Sequence, residues 1–163
     1  MAYALKPLPF DPQKIKGLSP GFLINGLKRE ELIASNSMIL HELYFAGLGE
    51  PNDPRASLTE ALTRDFGGFA RWRSEFVAMG KAQCGGSGWV ILSNSPRAGR
   101  LINVWAADHT TTMADGVPIL ALDMYEHAYH MDFGARAADY GTASVGAINW
   151  SNAGQIFASS HRS

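Results

Sequence analysis

Cysteine is almost absent from this 163-residue sequence, in which Cys84 is the only one. A single cysteine cannot form an internal disulfide, and a chain without disulfides is typical of a reducing compartment. The N-terminus also lacks the apolar segment of a signal peptide and is interrupted by Pro7, Pro9 and Pro12. We therefore expect a cytoplasmic protein.

Charged residues are scarce and balanced in sign. They make up 18% of the sequence, and 14 basic against 15 acidic residues give a formal net charge of -1. Proteins that bind nucleic acid usually carry a basic surplus or stripe, so we expect no nucleic-acid partner. No apolar run approaches the roughly 18 residues of a membrane span, so we expect no membrane association. The hydrophobic content of 46% is sufficient for a buried core.

The first half of the chain has the apolar spacing of helices. Over residues 27–48, apolar side chains recur along one stripe at helical intervals, which predicts a helix. Ser57 and Glu60 form a capping-box pattern and predict the start of a second helix, which ends before Gly67. A third helix is predicted from Phe69.

The second half of the chain changes to the spacing of strands. Three apolar runs have strand length: 89–92, 101–105 and 117–122. Turn residues at 95–99 indicate an antiparallel hairpin between the first two runs. A helix is predicted over 124–138 and another after Trp150. This order predicts an α+β fold, with an N-terminal helical lobe over 1–82 and a C-terminal lobe over 83–163 that contains a three-stranded antiparallel sheet with flanking helices.

Two histidines and one aspartate are placed where their side chains can converge. His41 lies within the first predicted helix, and Asp123 follows four apolar residues at the end of the third predicted strand. A carboxylate at that point should face the interior or a cleft. His127 comes four residues later, about one helical turn further on. Two imidazoles and one carboxylate suit a first-row metal, iron or manganese in particular, although ligand type alone does not exclude zinc or copper.

The residues around this set resemble a known signature. Residues 123–130, Asp-Met-Tyr-Glu-His-Ala-Tyr-His, resemble the D-x-W-E-H-A-Y-Y motif of the iron/manganese superoxide dismutases. Residues 36–45 resemble the helix that carries the second ligand in that family. Shorter similarities follow in the family's order, at 65–69, 86–89, 108–110 and 148–150. On these motifs the chain is identified as a member of the family over about residues 35–150.

The resemblance implies a role for each matching residue of the centre. His41, Asp123 and His127 match three of the family's four ligands of one iron or manganese ion per chain. His109 matches the position whose side chain hydrogen-bonds the metal-bound solvent. That bond tunes the proton affinity of the solvent and so the redox potential of the metal.

Aromatic and interface positions follow from the same resemblance. Trp89 matches an aromatic wall of the pocket and Tyr44 a nearby aromatic residue, although plain core packing explains either equally well. Glu126 matches the glutamate that reaches across a dimer interface, which implies a homodimer or a larger homo-oligomer. His130 replaces a tyrosine near that interface and could alternatively serve as a substitute ligand. Tyr125 replaces the tryptophan of the signature at the pocket floor.

One ligand of the family has no counterpart in this sequence. The family's first ligand lies on an N-terminal helix, but no histidine precedes His41 here. The residues that end at Ser19 resemble those just before the family's first helix. The residues from Pro20 already resemble the start of the helix that follows it in the family. Either the protein lacks the segment between them, or the segment belongs to the protein and is absent from the printed sequence. We favour the second explanation, which predicts a mass above 17.6 kDa.

The resemblance therefore predicts a superoxide dismutase, which converts superoxide to dioxygen and hydrogen peroxide at an iron or manganese ion. Two alternatives remain open. With an incomplete or empty metal site, the chain would be a catalytically inactive relative that acts as a dimerisation or interaction module. Three ligands with open positions would also suit an iron oxygenase of the facial-triad type, although such sites usually lie on a β-barrel.

Overall fold

A computed structural model describes Asp11, Lys14 and residues 20–84 and 86–160. The other residues up to Ser19 lie outside this part. The described α-helices are α1 (Pro20–Ala46), α2 (Ala56–Phe66), α3 (Phe69–Ala82), α4 (His130–Phe133), α5 (Ala137–Ser144) and α6 (Trp150–Ser160). The described strands are β1 (Trp89–Ser95), β2 (Arg100–Ala106) and β3 (Val117–Asp123).

The three strands form one antiparallel sheet in the order β2-β1-β3. The central strand β1 is buried along its whole length, and its side chains alternate between the two faces. Trp89 and Ile91 pack with α1 on one face, whereas Val90 and Leu92 join a larger core on the other. That larger core also contains side chains of α2, α3, α5 and α6. The predicted α+β architecture is therefore confirmed, while the lobe boundary at residue 82 stays a prediction.

The register of β3 decides where its last side chain points. Leu120 and Leu122 belong to the larger core, while Ala121 belongs to the cluster beneath α1. Side chains alternate along a strand, so Asp123, two residues after Ala121, lies on the α1 face of the sheet. The end of β3 thereby presents a carboxylate to the helix that carries His41.

The C-terminal end of α1 is held against the segment that precedes α6. Leu48 and Ile148 form an isolated antiparallel bridge. The backbone N–H of Asn149 donates to the carbonyl of Gly47 at 2.7 Å. These contacts fix the end of the helix that carries His41. Ile148 and Asn149 are also the first two residues of the motif at 148–150 that resembles the family.

The helix predicted over 124–138 is wrong. The chain instead forms a 3-10 turn at Glu126–Ala128, the four-residue helix α4 and then the separate helix α5. Gly134 ends α4 with a φ of 57°, a left-handed conformation that glycine adopts without strain. The backbone N–H of Met124 donates to the carbonyl of Gly88 at 2.9 Å, which extends the pairing of β3 with the β1 side by one residue, so no helix begins at Met124.

The first two helices also begin differently from the predictions. Helix α1 begins at Pro20 rather than near residue 27, and proline suits a first helical turn because its missing N–H needs no partner there. Helix α2 begins at Ala56, and Arg55 before it makes no side-chain cap. The capping box expected from Ser57 is therefore not formed, because this serine already lies inside the first turn.

A buried carboxylate ties α2 to the β-hairpin. Asp65, whose side chain is 5% exposed, accepts hydrogen bonds from the guanidinium of Arg64 (2.6 Å) and from the backbone N–H of Leu101 (2.7 Å). Burial alone would raise the pKa of Asp65, but these hydrogen bonds outweigh it and lower the pKa below its usual value. Folding therefore favours the charged form of this carboxyl.

We expect Asp65→Asn to lower the free energy of unfolding by about 1–3 kcal/mol at pH 7, because charge-assisted hydrogen bonds are lost. Since folding lowers this pKa, the stabilisation is fully present above about pH 4 and is lost as the pH falls through the folded-state value. Urea unfolding at pH 7 and at acidic pH measures both effects. Asp139→Asn is the control, because its ion pair with Arg136 is exposed. Equal losses in the two variants would contradict the prediction.

Candidate metal centre

Three donor atoms converge between α1 and the end of β3. His41 Nε2 lies 3.3 Å from His127 Nε2 and 3.5 Å from Asp123 Oδ2, and His127 Nε2 lies 3.1 Å from the same oxygen. Donors bound to one ion at about 2.1 Å, with angles of about 90–120°, lie about 3.0–3.6 Å apart. The observed triangle fits that spacing, so these residues suit a single metal ion.

The ring of His41 is oriented by its own helix. Its Nδ1–H donates to the backbone carbonyl of Ser37 at 2.7 Å, one turn earlier on α1. This bond fixes the tautomer and leaves the lone pair of Nε2 free to bind a metal. Such a hydrogen bond to the second ring nitrogen is common among metal-binding histidines.

Asp123 supplies a buried negative charge. Its side chain is 1% exposed, and the backbone N–H of Tyr125 donates to Oδ1 at 2.8 Å, which leaves Oδ2 for the metal. Burial raises the pKa of the Asp123 carboxyl, although that hydrogen bond and the two histidines oppose the shift. A bound cation would stabilise this carboxylate, because a buried charge needs a partner. The predicted convergence of Asp123 and His127 is therefore observed, although through a turn rather than a helix.

His109 lies beside the triangle in the loop between β2 and β3. The indole N–H of Trp89 donates to its Nδ1 at 3.0 Å. Because tryptophan can only donate, the proton of a neutral His109 must be on Nε2. Burial, followed by the nearby His41, lowers the pKa of His109 and so favours this neutral form. Its predicted role toward metal-bound solvent stays a prediction.

Aromatic rings line the buried side of the centre. Trp89 is fully buried, and its ring meets that of His41 edge-on at 4.9 Å between centroids. The ring of Tyr44 lies 6.4 Å from that of Trp89, and its hydroxyl lies 3.0 Å from the hydroxyl of Tyr140. The structure thus brings both predicted aromatic residues to the site. Tyr140 was not predicted, because it belongs to no motif and is 96 residues from Tyr44.

Tyr125 links two histidines by stacking. Its ring lies parallel to that of His109 at 4.7 Å (8°) and to that of His127 at 5.7 Å (11°). The residue that replaces the signature tryptophan therefore stacks against two histidine rings of the site, while its place at the floor of a pocket stays a prediction.

The two predicted interface residues lie outside the triangle. Glu126 and His130 are exposed, and Glu126 Oε1 lies 3.2 Å from His130 Nδ1. Within the described residues, the group of potential metal ligands consists of His41, Asp123 and His127 and does not include His130. The alternative of His130 as a substitute ligand is thus unsupported.

A helix, a strand end and the 3-10 turn that follows it bring together two histidines and a buried aspartate, as in a mononuclear metal-binding protein, and this ligand set suits iron or manganese. The family model described as iron/manganese superoxide dismutases, C-terminal domain, matches residues 54–156. The chain belongs to the iron/manganese superoxide dismutase family.

Named relatives include iron and manganese proteins. The chain is 48% identical, over 196 positions, to an iron superoxide dismutase from Cupriavidus metallidurans, covering 99% of this chain and 100% of the relative. It is 33% identical over 122 residues to a manganese superoxide dismutase from Haloarcula marismortui, and 33% identical over 127 residues to an iron superoxide dismutase from Aquifex pyrophilus. These matches cover 72% and 76% of this chain but only 58% of each relative.

The alignment with the Cupriavidus protein bears on the missing ligand. It is 196 positions long whereas this chain has 163 residues, so at least 33 positions of the relative have no counterpart here. That these positions form one segment, and that it lies between Ser19 and Pro20, stays a prediction.

Proposed function

We propose that this chain is a superoxide dismutase that uses one iron or manganese ion per chain. The observation that carries the proposal is the triangle of donor atoms from His41, Asp123 and His127, in a chain of this family. The reaction converts two superoxide anions and two protons to dioxygen and hydrogen peroxide. When bound, the metal would supply the one-electron oxidation and the one-electron reduction.

The chain's own residues hold the ion and place a proton beside it. Asp123 contributes negative charge, while His41 and His127 are neutral donors. Both histidines are partly exposed, so a small anion can reach the centre from solvent. The Nε2–H of His109 is a hydrogen-bond donor for solvent or substrate near the ion, and Trp89 fixes that tautomer.

Superoxide decay after metal loading tests this proposal. The metal-free chain is loaded with Fe(II) or Mn(II) without oxygen, unbound metal is removed, and decay is followed by stopped-flow absorbance. We expect faster decay per bound ion than with the same concentration of free metal. A rate no higher than that of free metal would contradict the proposal.

A catalytically inactive relative is the second candidate function. The absent positions and the set of only three described ligands favour it. Such a chain would act as a dimerisation or interaction module. Stoichiometric metal binding without dismutation, or no metal binding at all, would support this second function.

We further propose that the chain forms a homodimer through the surface around Glu126 and His130. The exposure of this pair and of the apolar Met131, which is 91% exposed, supports the proposal. In sedimentation experiments we expect a dimer for the wild type and weaker association, by about tenfold or more, for Glu126→Ala. Glu60→Ala, at an exposed position on α2, is the control. A monomeric wild type would contradict the proposal.

We propose the cytoplasm as the compartment, since the free thiol of Cys84 suits a reducing environment. Within the described residues, no helix has the length and apolar character needed to cross a membrane.

A further inference from the structure

We propose that Asn36 is a positioning residue for His109, a role that rests on the proposed dismutase function. The side-chain amide of Asn36 donates to the backbone carbonyl of His109 at 2.6 Å, across 73 residues of sequence. Asn36 also lies five residues before the ligand His41 on α1. One helix therefore carries both a metal ligand and an anchor for the neighbouring proton donor.

The loop that carries His109 needs such an anchor. Residues 107–116 form bends and turns between β2 and β3, without ladder hydrogen bonds to a neighbouring strand. Asp108 accepts hydrogen bonds from the backbone N–H (2.7 Å) and hydroxyl (2.6 Å) of Thr110, which shape the turn locally. These local bonds do not set the distance between the loop and α1. Within the described residues, the bond from Asn36 is the hydrogen bond that joins α1 to this loop.

Three contacts on His109 have separate effects. The indole N–H of Trp89 selects the tautomer with the proton on Nε2, and the parallel ring of Tyr125 sets the plane of the imidazole. Tyr125 also hydrogen-bonds the backbone of His109, and Asn36 ties the backbone carbonyl of His109 to α1 and thereby sets the 5.9 Å separation between the rings of His109 and His41. Without Asn36, the loop can shift along α1 and the bond from Trp89 loses its alignment.

The test compares Asn36→Ala with Asn52→Ala. Asn52 is exposed and lies outside the site. Like Asn36, it bonds the backbone of a residue far along the chain, since its side-chain oxygen accepts the N–H of Ser151 at 3.1 Å. The first measurement is the imidazole ¹⁵N shifts of His109 in the metal-free chain, at a pH where the ring is neutral. We expect one tautomer, protonated on Nε2, in the wild type and in Asn52→Ala, and a mixture in Asn36→Ala.

The second measurement is superoxide turnover per bound ion in the loaded chain. We expect Asn36→Ala to lose about 10- to 100-fold while its metal content stays that of the wild type. Asn36→Gln, which keeps an amide donor, should recover part of the loss. If Asn36→Ala is poorly folded, the comparison of Asn36→Gln with Asn36→Leu, which has no donor, gives the same test.

An unchanged His109 tautomer in Asn36→Ala would overturn the inference. So would a turnover per bound ion equal to that of the wild type, with any loss of total activity explained by loss of bound metal. The nitrogen shifts are measured without metal or substrate. An inactive wild type with the expected shifts would therefore contradict the dismutase function and leave the positioning contact supported.

Discussion

Replacing Asp123 with asparagine should reduce the affinity for Fe(II) or Mn(II) by more than about 100-fold, with a matching loss of dismutase activity. The substitution keeps the shape of the side chain and an oxygen for the N–H of Tyr125, but it removes the negative charge. The other carboxylate oxygen, Oδ2, lies 3.1 Å from His127 Nε2 and 3.5 Å from His41 Nε2 and is the charged member of the triangle. Loss of hydrogen-bonding partners around ligands typically costs 10- to 100-fold, and loss of a ligand charge should cost more. Titration calorimetry measures the affinity.

The control for this variant is Asp132→Asn, which removes the same charge at an exposed position on α4. We expect its metal affinity to remain within about twofold of the wild type, because exposed charges are screened. Wild-type affinity in Asp123→Asn would show that the metal is bound elsewhere. Equal losses in both variants would show a general effect of charge.

We expect Trp72→Ala to lower the free energy of unfolding by about 3–5 kcal/mol, a large part of the stability of a domain of this size. Trp72 is fully buried in the larger core, where its ring packs against Phe76 (5.1 Å) and Trp150 (5.1 Å). Its indole N–H also donates to Asn103 Oδ1 at 3.1 Å, so the substitution leaves both a cavity and a polar atom without its partner. Urea unfolding at pH 7 measures the loss.

Trp105→Ala is the matched control, because Trp105 is 44% exposed on β2. We expect a loss of about 1 kcal/mol or less for this variant. Trp72→Phe, which keeps part of the ring packing, should lie between the two. A loss in Trp72→Ala no greater than that in Trp105→Ala would contradict the described core.

The metal ligands could be predicted because local rules govern each of them. Asp123 ends a continuous apolar run of strand length, and that run indicates that its side chain is buried. The helical stripe through Leu40 and Tyr44 packs α1 on the same face, so His41 is brought to that carboxylate. Short motifs with fixed spacing are enough for this part of the site.

Contacts between distant segments could not be predicted in this way. The pairs Asn36–His109 and Tyr44–Tyr140 are separated by 73 and 96 residues, and no spacing rule relates their members. The predicted helix over 124–138 was wrong for a related reason. Its residues have helical spacing, but the bond of Met124 to Gly88 and the break at Gly134 come from the tertiary structure, which overrides local propensity.

Native mass spectrometry of the manganese-loaded chain, with Asp123→Asn measured alongside, tests the three-residue metal centre most directly. The same sample after denaturation gives the chain mass, which is near 17.6 kDa for the printed sequence and higher if a further segment is present. We expect one ion per wild-type chain and none on Asp123→Asn. A wild-type chain that retains no ion, or a variant that retains as much as the wild type, would contradict a centre built from His41, Asp123 and His127.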